Sequence, residues 1–295
     1  MDAGRSIDEQ LDVARKLKQQ FPHQFAFFGT FSVDSFGKPG FASQVIECID
    51  KCMKAGASGI KIWKNIGMAL KDSSGNFVMA DDPAFDPVFR YMEEHHIPLM
   101  AHLGEPRNCW LPLEEMTLGN DRNYFREHPE YHMYQHPEAP SYEDQINARD
   151  SLLRRYPGID FTGAHLGSLE WSVDEVAKRL DRYPNFQVEI SARIGHLQLQ
   201  SMSEYEKVRQ FMIKYQDRIM YGTDVGINPN DTNYVAETEG LHRRWLDHWI
   251  FLATDSEVVV SDLENARVKG IKLPATVIDK IYFKNAARFF NSGKI

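Results

Sequence analysis

Apolar residues cluster along this chain in short runs of strand length, and between the runs they recur at helical spacing. Six runs rich in β-branched and aromatic residues begin near residues 25, 58, 97, 159, 186 and 218. Three share one design. Ile97–His102, Ile159–His165 and Arg218–Asp224 are apolar runs that end in a side chain able to bind metal or carry a proton, with glycine close by (Gly104, Gly167, Gly222). Runs apolar on both faces suit strands buried on both sides, as in a parallel sheet covered by helices. The intervening segments supply those helices. Ser6–Gln20 opens on a Ser6/Glu9 capping-box pattern, and Phe41–Ala55 buries Val45, Ile49 and Cys52 before Gly56 stops it. Further helices are predicted over 83–95, 141–156, 172–183, 203–215, 238–254 and 274–290. Strand–helix alternation of this kind predicts an α/β fold of parallel βαβ units in one domain spanning residues 1–295.

The alternation fails once. Residues 103–140 are rich in Pro, Asn, His and aromatics, including Trp110, Tyr124, Tyr131 and His132, and show no sustained period. A long stretch without regular structure inside a compact domain is usually functional. The expectation is an active-site lid, its rings facing either a ring-bearing or polyhydroxylated substrate or a neighbouring subunit.

Composition narrows the class. An apolar content of 42% and a charged content of 26% are those of a globular protein, and a net charge of −8 argues against a nucleic-acid partner. Three cysteines (Cys48, Cys52, Cys109) are too few for a disulfide framework, and Cys48 and Cys52, four apart on a predicted helix, read as core thiols. No stretch is long and apolar enough to span a membrane, and the first residues lack the apolar core of a signal peptide. The expected location is cytoplasmic and the expected partner a small-molecule substrate.

Five motifs then stand in order: "GIKIW" at 59–63, "IPLMAHLGEP" at 97–106, "FTGAHLGS" at 161–168, "MYGTDV" at 220–225 and "IYFKNAARFF" at 281–290. Together they resemble the amidohydrolase-related (family 2) group of the amidohydrolase superfamily, over nearly the whole chain. That resemblance implies a (β/α)8 TIM-type barrel with a divalent metal at its C-terminal mouth, Zn²⁺ first and Mn²⁺ as the alternative, and by family habit a homodimer. His102 corresponds to the fifth-strand metal ligand. His165 corresponds to the sixth-strand histidine, a ligand in some members and a participant in the chemistry in others. Asp224 corresponds to the eighth-strand aspartate, ligand and proton shuttle. One part of the pattern is missing: the family's first strand carries an H-x-H pair, and no H-x-H occurs here. Counting backwards, the 25–33 run matches the third strand. The sequence is therefore expected to lack the first two βα units, and with them two further histidine ligands. Six strands of such a barrel would leave two bare edges.

Taken singly, His102 or His165 is more often a hydrogen-bonded core histidine than a ligand. With Asp224, at three strand ends, the functional reading leads. Two histidines and a carboxylate suit Zn²⁺ or Mn²⁺, and Asp224 would move the proton. Lys61 inside its strand run either faces the barrel mouth, beside Trp63 on the substrate side, or pairs with a carboxylate at the rim. Arg107 and Arg193 are candidate clamps for a carboxylate substrate, and Glu189 is a candidate partner for one of them. The activities these residues point to are hydrolysis of an amide, lactone or similar bond, non-oxidative decarboxylation or hydration on the same scaffold, or binding by a barrel without metal.

Overall fold

The computed structural model describes residues 6–226 and 234–291. Helix α1 (Ile7–Gln20) starts where the Ser6 hydroxyl accepts the Glu9 amide, as its capping pattern predicts. Helix α2 (Phe41–Lys54) follows, then strand β1 (Ile60–Ile62), the short kinked α3 (Asn65–Met68), α4 (Asp86–Glu94) and β2 (Leu99–Ala101). After the 103–140 segment, which contains α5 (Gly119–Glu127), come α6 (Tyr142–Arg155), β3 (Phe161–Gly163), α7 (Val173–Arg182), β4 (Phe186–Glu189), α8 (Ile194–Lys214) and β5 (Ile219–Met220). Helix α9 (Tyr234–Ala253), an antiparallel hairpin of β6 (Glu257–Val260) and β7 (Ala266–Lys269), and the closing helices α10 (Ala275–Asp279) and α11 (Asn285–Asn291) complete the chain. A π-helical turn over Lys280–Lys284 joins α10 to α11.

Strands β1 to β5 form one parallel sheet in sequential order. The register aligns Ile62, Ala101, Gly163, Val188 and Ile219 in a single row. Because strand side chains alternate faces, the opposite face carries the row Lys61, Met100, Thr162 and Gln187, and the next positions on that face are Trp63, His102 and Glu189. The helix-facing row is buried and apolar, while the other becomes polar toward the C-terminal ends of the strands. Parallelism alone thus brings the polar strand ends to one rim.

Among the described residues the sheet does not close on itself. The run at 25–33, expected as a strand, pairs on one side only, through an isolated bridge from Gly29 to Ile60. Cys52 on α2 lies so close that a Cβ on Gly29 would sit 2.5 Å from the Cys52 Cβ, which is why glycine stands there. At the far edge, the π-helical turn and α11 stand where a neighbouring strand would be. The Tyr221 amide donates to the Ile281 carbonyl (2.8 Å), and Asn285 Nδ2 donates to the Ile219 and Gln216 carbonyls (2.8 and 2.7 Å). Phe28, Met220 and Phe289 pack together across the polar-side face, with Phe28 and Phe289 stacked at 5.4 Å.

Other expectations shift. Helix α8 begins at Ile194, nine residues before the expected Ser203, and the β6–β7 hairpin is an addition to the sequence reading. The 103–140 segment is not structureless: α5 and several 3₁₀ turns wrap a small core of Cys109, Met116, Phe125 and Met133. Cys48, Cys52 and Cys109 are free thiols, as expected. Among the described residues no helix is long and apolar enough to cross a membrane.

Candidate active site at the C-terminal rim of the sheet

The site grows from an unusual turn. After β3, four consecutive residues, His165, Leu166, Gly167 and Ser168, adopt left-handed φ of 56–63°, three of them non-glycine. Each non-glycine costs of order 1 kcal/mol in that region, so such a turn persists only where its surroundings enforce it. They do. Buried Arg149 donates to the Gly167 carbonyl, the Ser168 hydroxyl donates to the Leu103 carbonyl (3.0 Å), and the Tyr142 hydroxyl donates to the Ser168 carbonyl. Ala192 and Asp224, just past β4 and β5, also have positive φ. Backbone strain therefore gathers at the rim where the polar side chains emerge.

Glu189 organises the centre. Its two carboxylate oxygens accept the amides of His165 and Ser191, each at 2.6 Å. The expected pairing of Glu189 with Arg107 or Arg193 does not occur, because both oxygens are taken by main-chain donors. His165 Nδ1 lies 3.0 Å from the Ser191 carbonyl oxygen, which can only accept, so Nδ1 carries the proton and Nε2 presents its lone pair. That lone pair faces Asp224 Oδ2 at 3.9 Å. His102 stands edge-on to His165, with ring centroids 4.5 Å apart. Its Nε2 is buried, makes no hydrogen bond and lies 3.8 Å from Glu105 Oε2, beyond hydrogen-bond range. The structure thus brings together His102, His165 and Asp224, the three residues singled out from sequence.

Electrostatics keep the imidazoles neutral. Burial pushes His165 down to about 4, with Glu189 opposing and the His102 ring adding to the shift, and burial lowers His102 as well. Burial works against the Glu105 carboxylate, but the His102 ring and the Lys64 ammonium outweigh it and hold Glu105 down to about 2. Lys61 reaches the same rim. Burial lowers its pKa, against the pull of Asp224 and Glu189, and its ammonium sits 4.0 Å from the centre of the Trp63 ring.

The two arginines lie elsewhere. Arg107 is stacked over Trp171 at 4.4 Å and has no contact with the histidines or Asp224. Arg193 is buried behind His165. Its Nη1 donates to the Ala192 carbonyl (2.9 Å), its Nε has no hydrogen-bond partner among the described residues, and its charge acts on His165, Asp121 and Glu170. Sequence reasoning missed Glu105 and Lys64, although a carboxylate three residues after His102 was a readable signal. It also missed Ser191, whose main-chain carbonyl and hydroxyl both lie within hydrogen-bond distance of His165 Nδ1. The rings of the 103–140 segment mostly pack on one another, Tyr124 stacking on Tyr131, and the segment reaches the rim where Lys64 lies over the Tyr131 ring.

The neutrality of the histidines has a measurable consequence. His165 and His248 are both held near 4 by burial, whereas in the unfolded chain each takes a proton near 6.5. Between those values the unfolded state binds more protons, so stability falls on acidification from about pH 6.5 to about 4. The slope approaches roughly 1.4 kcal/mol per pH unit for each histidine. Glu105 adds to the loss only below about pH 4.5. Urea midpoints at about pH 7, 5.5 and 4.5 should decline, and His248→Gln should flatten the decline; an unaltered slope in that variant would refute the assignment.

A divalent ion is what the resemblance implies, and the donor chemistry fits one. Two neutral imidazoles and a carboxylate stand at one rim, and a lone pair and a carboxylate oxygen confront each other with no proton between them. Among the described residues, however, no three His, Cys, Asp or Glu side chains close around a single point. These donors supply part of a coordination shell and not an enclosing cage.

A parallel sheet flanked by helices, with polar strand ends gathered at its C-terminal rim, is the arrangement in which α/β-barrel enzymes place their active sites. The amidohydrolase family profile (Amidohydro_2) matches residues 12–291, and the protein is accordingly an enzyme of the amidohydrolase family. Solved structures with the same fold include an uncharacterized TIM-barrel protein from Bordetella bronchiseptica (TM-score 0.56, 13% identity, covering 97% of this chain and 73% of that one). The 2,6-dihydroxybenzoate decarboxylase from Rhizobium is also similar (TM-score 0.53, 17% identity, 97% and 76%). So is the 5-carboxyvanillate decarboxylase from Sphingomonas paucimobilis (TM-score 0.50, 15% identity, 99% and 75%). At these identities the likeness concerns the fold alone. Comparison with curated proteins finds no match.

Proposed function

We propose that the protein is a metal-dependent hydrolase acting on an amide, lactone or similar bond, with its reacting centre between His165 and Asp224. The observation that carries this reading is the 3.9 Å approach of His165 Nε2 and Asp224 Oδ2, two acceptors facing each other. His102, His165 and Asp224 would hold a divalent cation, Zn²⁺ or Mn²⁺. When bound, the cation would supply positive charge that polarises the substrate carbonyl and makes an attacking water more acidic. The remaining work falls to this chain's own groups. Asp224 Oδ2, on the solvent-facing side of the pair, takes the proton of the attacking water and returns it to the leaving group. Glu189 fixes the His165 turn and so the direction of the ring. Lys61, lying over Trp63 beside Asp224, offers a cationic wall for a substrate oxygen, and the 103–140 segment acts as a lid over the rim.

A second reading, non-oxidative decarboxylation, is favoured by the same Lys61 wall, which suits a carboxylate, and by the decarboxylases among proteins of this fold. The test begins with chelator-treated protein titrated calorimetrically with Zn²⁺ and with Mn²⁺. Saturable binding near one ion per chain, lost in His102→Ala, is expected; absence of saturable binding defeats the metal assignment. The loaded protein is then assayed on amides, lactones and aromatic acids, with acid release and CO2 release followed separately. Acid release supports hydrolysis, whereas CO2 alone supports the second reading.

A further inference from the structure

Beside the rim lies a cavity of about 700 Å³, a volume typical of small-molecule sites. Thr223 and Asp224 line it. Ile194 and Gln198 of α8, Val258 and Val260 of β6, and Asn120 of α5 line its sides. One wall is a face of α9, where Gly240, Arg243, Arg244, Asp247 and His248 recur at the three- and four-residue spacing of a single helical stripe.

The two arginines differ from the ion-paired arginines of the chain. Arg149, Arg155 and Arg179 are each engaged by a carboxylate. Arg243 and Arg244 face the cavity with no ion pair among the described residues, although Asp224, Asp247 and Asp262 share the same walls. Burial pushes His248 down to about 4 and the Arg244 charge adds to the shift, so this imidazole stays neutral, with Nδ1 and the Tyr221 hydroxyl 3.0 Å apart. Guanidinium groups bind carboxylates through paired, charge-assisted hydrogen bonds. Two adjacent guanidiniums without an ion pair among the described residues and a proton-transfer carboxylate line one cavity, an arrangement that fits a ligand carrying a carboxylate away from its reacting bond.

We propose that Arg243 and Arg244 hold a remote carboxylate of the substrate, so that the enzyme acts on an organic acid whose reacting bond lies at Asp224. The apolar strip of Ile194, Val258 and Val260 takes the body of that molecule, and a ring suits it. The inference rests on the reading of Asp224 as the reacting end, but the anion site itself does not require it.

Benzoate is the probe and benzamide its neutral counterpart, measured on chelator-treated protein so that no metal can hold the carboxylate. Trp245 and Trp249 on α9 provide the fluorescence signal, and calorimetry provides the stoichiometry. Saturable benzoate binding near one per chain is expected, with benzamide about tenfold weaker or worse. Arg243→Ala/Arg244→Ala should lose about 10–100-fold in benzoate affinity, and Arg243→Lys/Arg244→Lys should recover part of it. Both arginines are exposed, so these variants keep the fold, and far-ultraviolet dichroism verifies that. Unchanged benzoate affinity in the double alanine variant, or no saturable binding to the parent protein, overturns the proposal. Asp224→Asn separates the two readings. Retained benzoate binding with no turnover supports both. Retained binding with undiminished turnover leaves the anion site standing and sinks the role of Asp224.

Discussion

Asp224→Asn is expected to lower turnover by about 10²–10⁴-fold, the usual contribution of a positioned acid–base group, while leaving the fold intact. The physical basis is local. Asp224 lies just past β5 in a left-handed conformation that asparagine tolerates nearly as well as aspartate, and its side chain is about half exposed. The substitution therefore removes a charge and a proton acceptor without opening a cavity or stranding a buried group. Stability should move by no more than about 0.5 kcal/mol. The measurement is turnover on whichever compound of the substrate panel is processed, alongside a urea unfolding curve. Near-normal turnover in a folded variant would remove Asp224 from the chemistry. A large loss of stability would instead mean that the residue holds the rim together.

Glu189→Ala is expected to have the opposite profile, with a large cost in stability and a loss of activity that follows from it. The carboxylate is buried and accepts the amides of His165 and Ser191. Removing it leaves two buried N–H groups without acceptors, each costing about 1–3 kcal/mol, and releases a turn that already holds three non-glycine residues at positive φ. The expected destabilisation is about 3–5 kcal/mol, a large part of a typical domain's stability. Glu189→Gln should be milder but still costly, because an amide can offer one acceptor and must turn an N–H toward the second donor. A urea midpoint within experimental error of the parent's for Glu189→Ala would show that the turn is held by its other bonds alone.

These variants also separate the groups that perform the chemistry from those that place them. His102, His165 and Asp224 were visible as polar residues ending apolar runs, and the structure does bring them together. Arg107 and Arg193 were equally plausible as isolated residues, yet Arg107 stacks on Trp171 and Arg193 is buried behind the site. Nothing in a local pattern distinguishes a guanidinium that points into a pocket from one that packs behind it. Arg243 and Arg244 carry no local signal of a site, since only the packing of α9 against β6 turns that face into the wall of a cavity.

What the sequence determined by itself is the periodic part of this protein. Strand-length apolar runs, helical stripes and the capping residue Ser6 act over a few residues, and so α1, α2, α4, α6, α7 and the five paired strands are legible from local pattern. The parallel alternation then commits His102, His165 and Asp224 to one rim, because strands running in one direction present the same end. Tertiary structure decided the rest. Whether the 25–33 run becomes a strand depends on how far it pairs with β1, and it makes only the isolated bridge from Gly29 to Ile60. Which atom of His165 carries the proton depends on a carbonyl from β4's far end, and which arginines face a ligand depends on helix packing. Those outcomes are set by contacts between residues distant in the chain, where burial and hydrogen-bond pairing outweigh local preference.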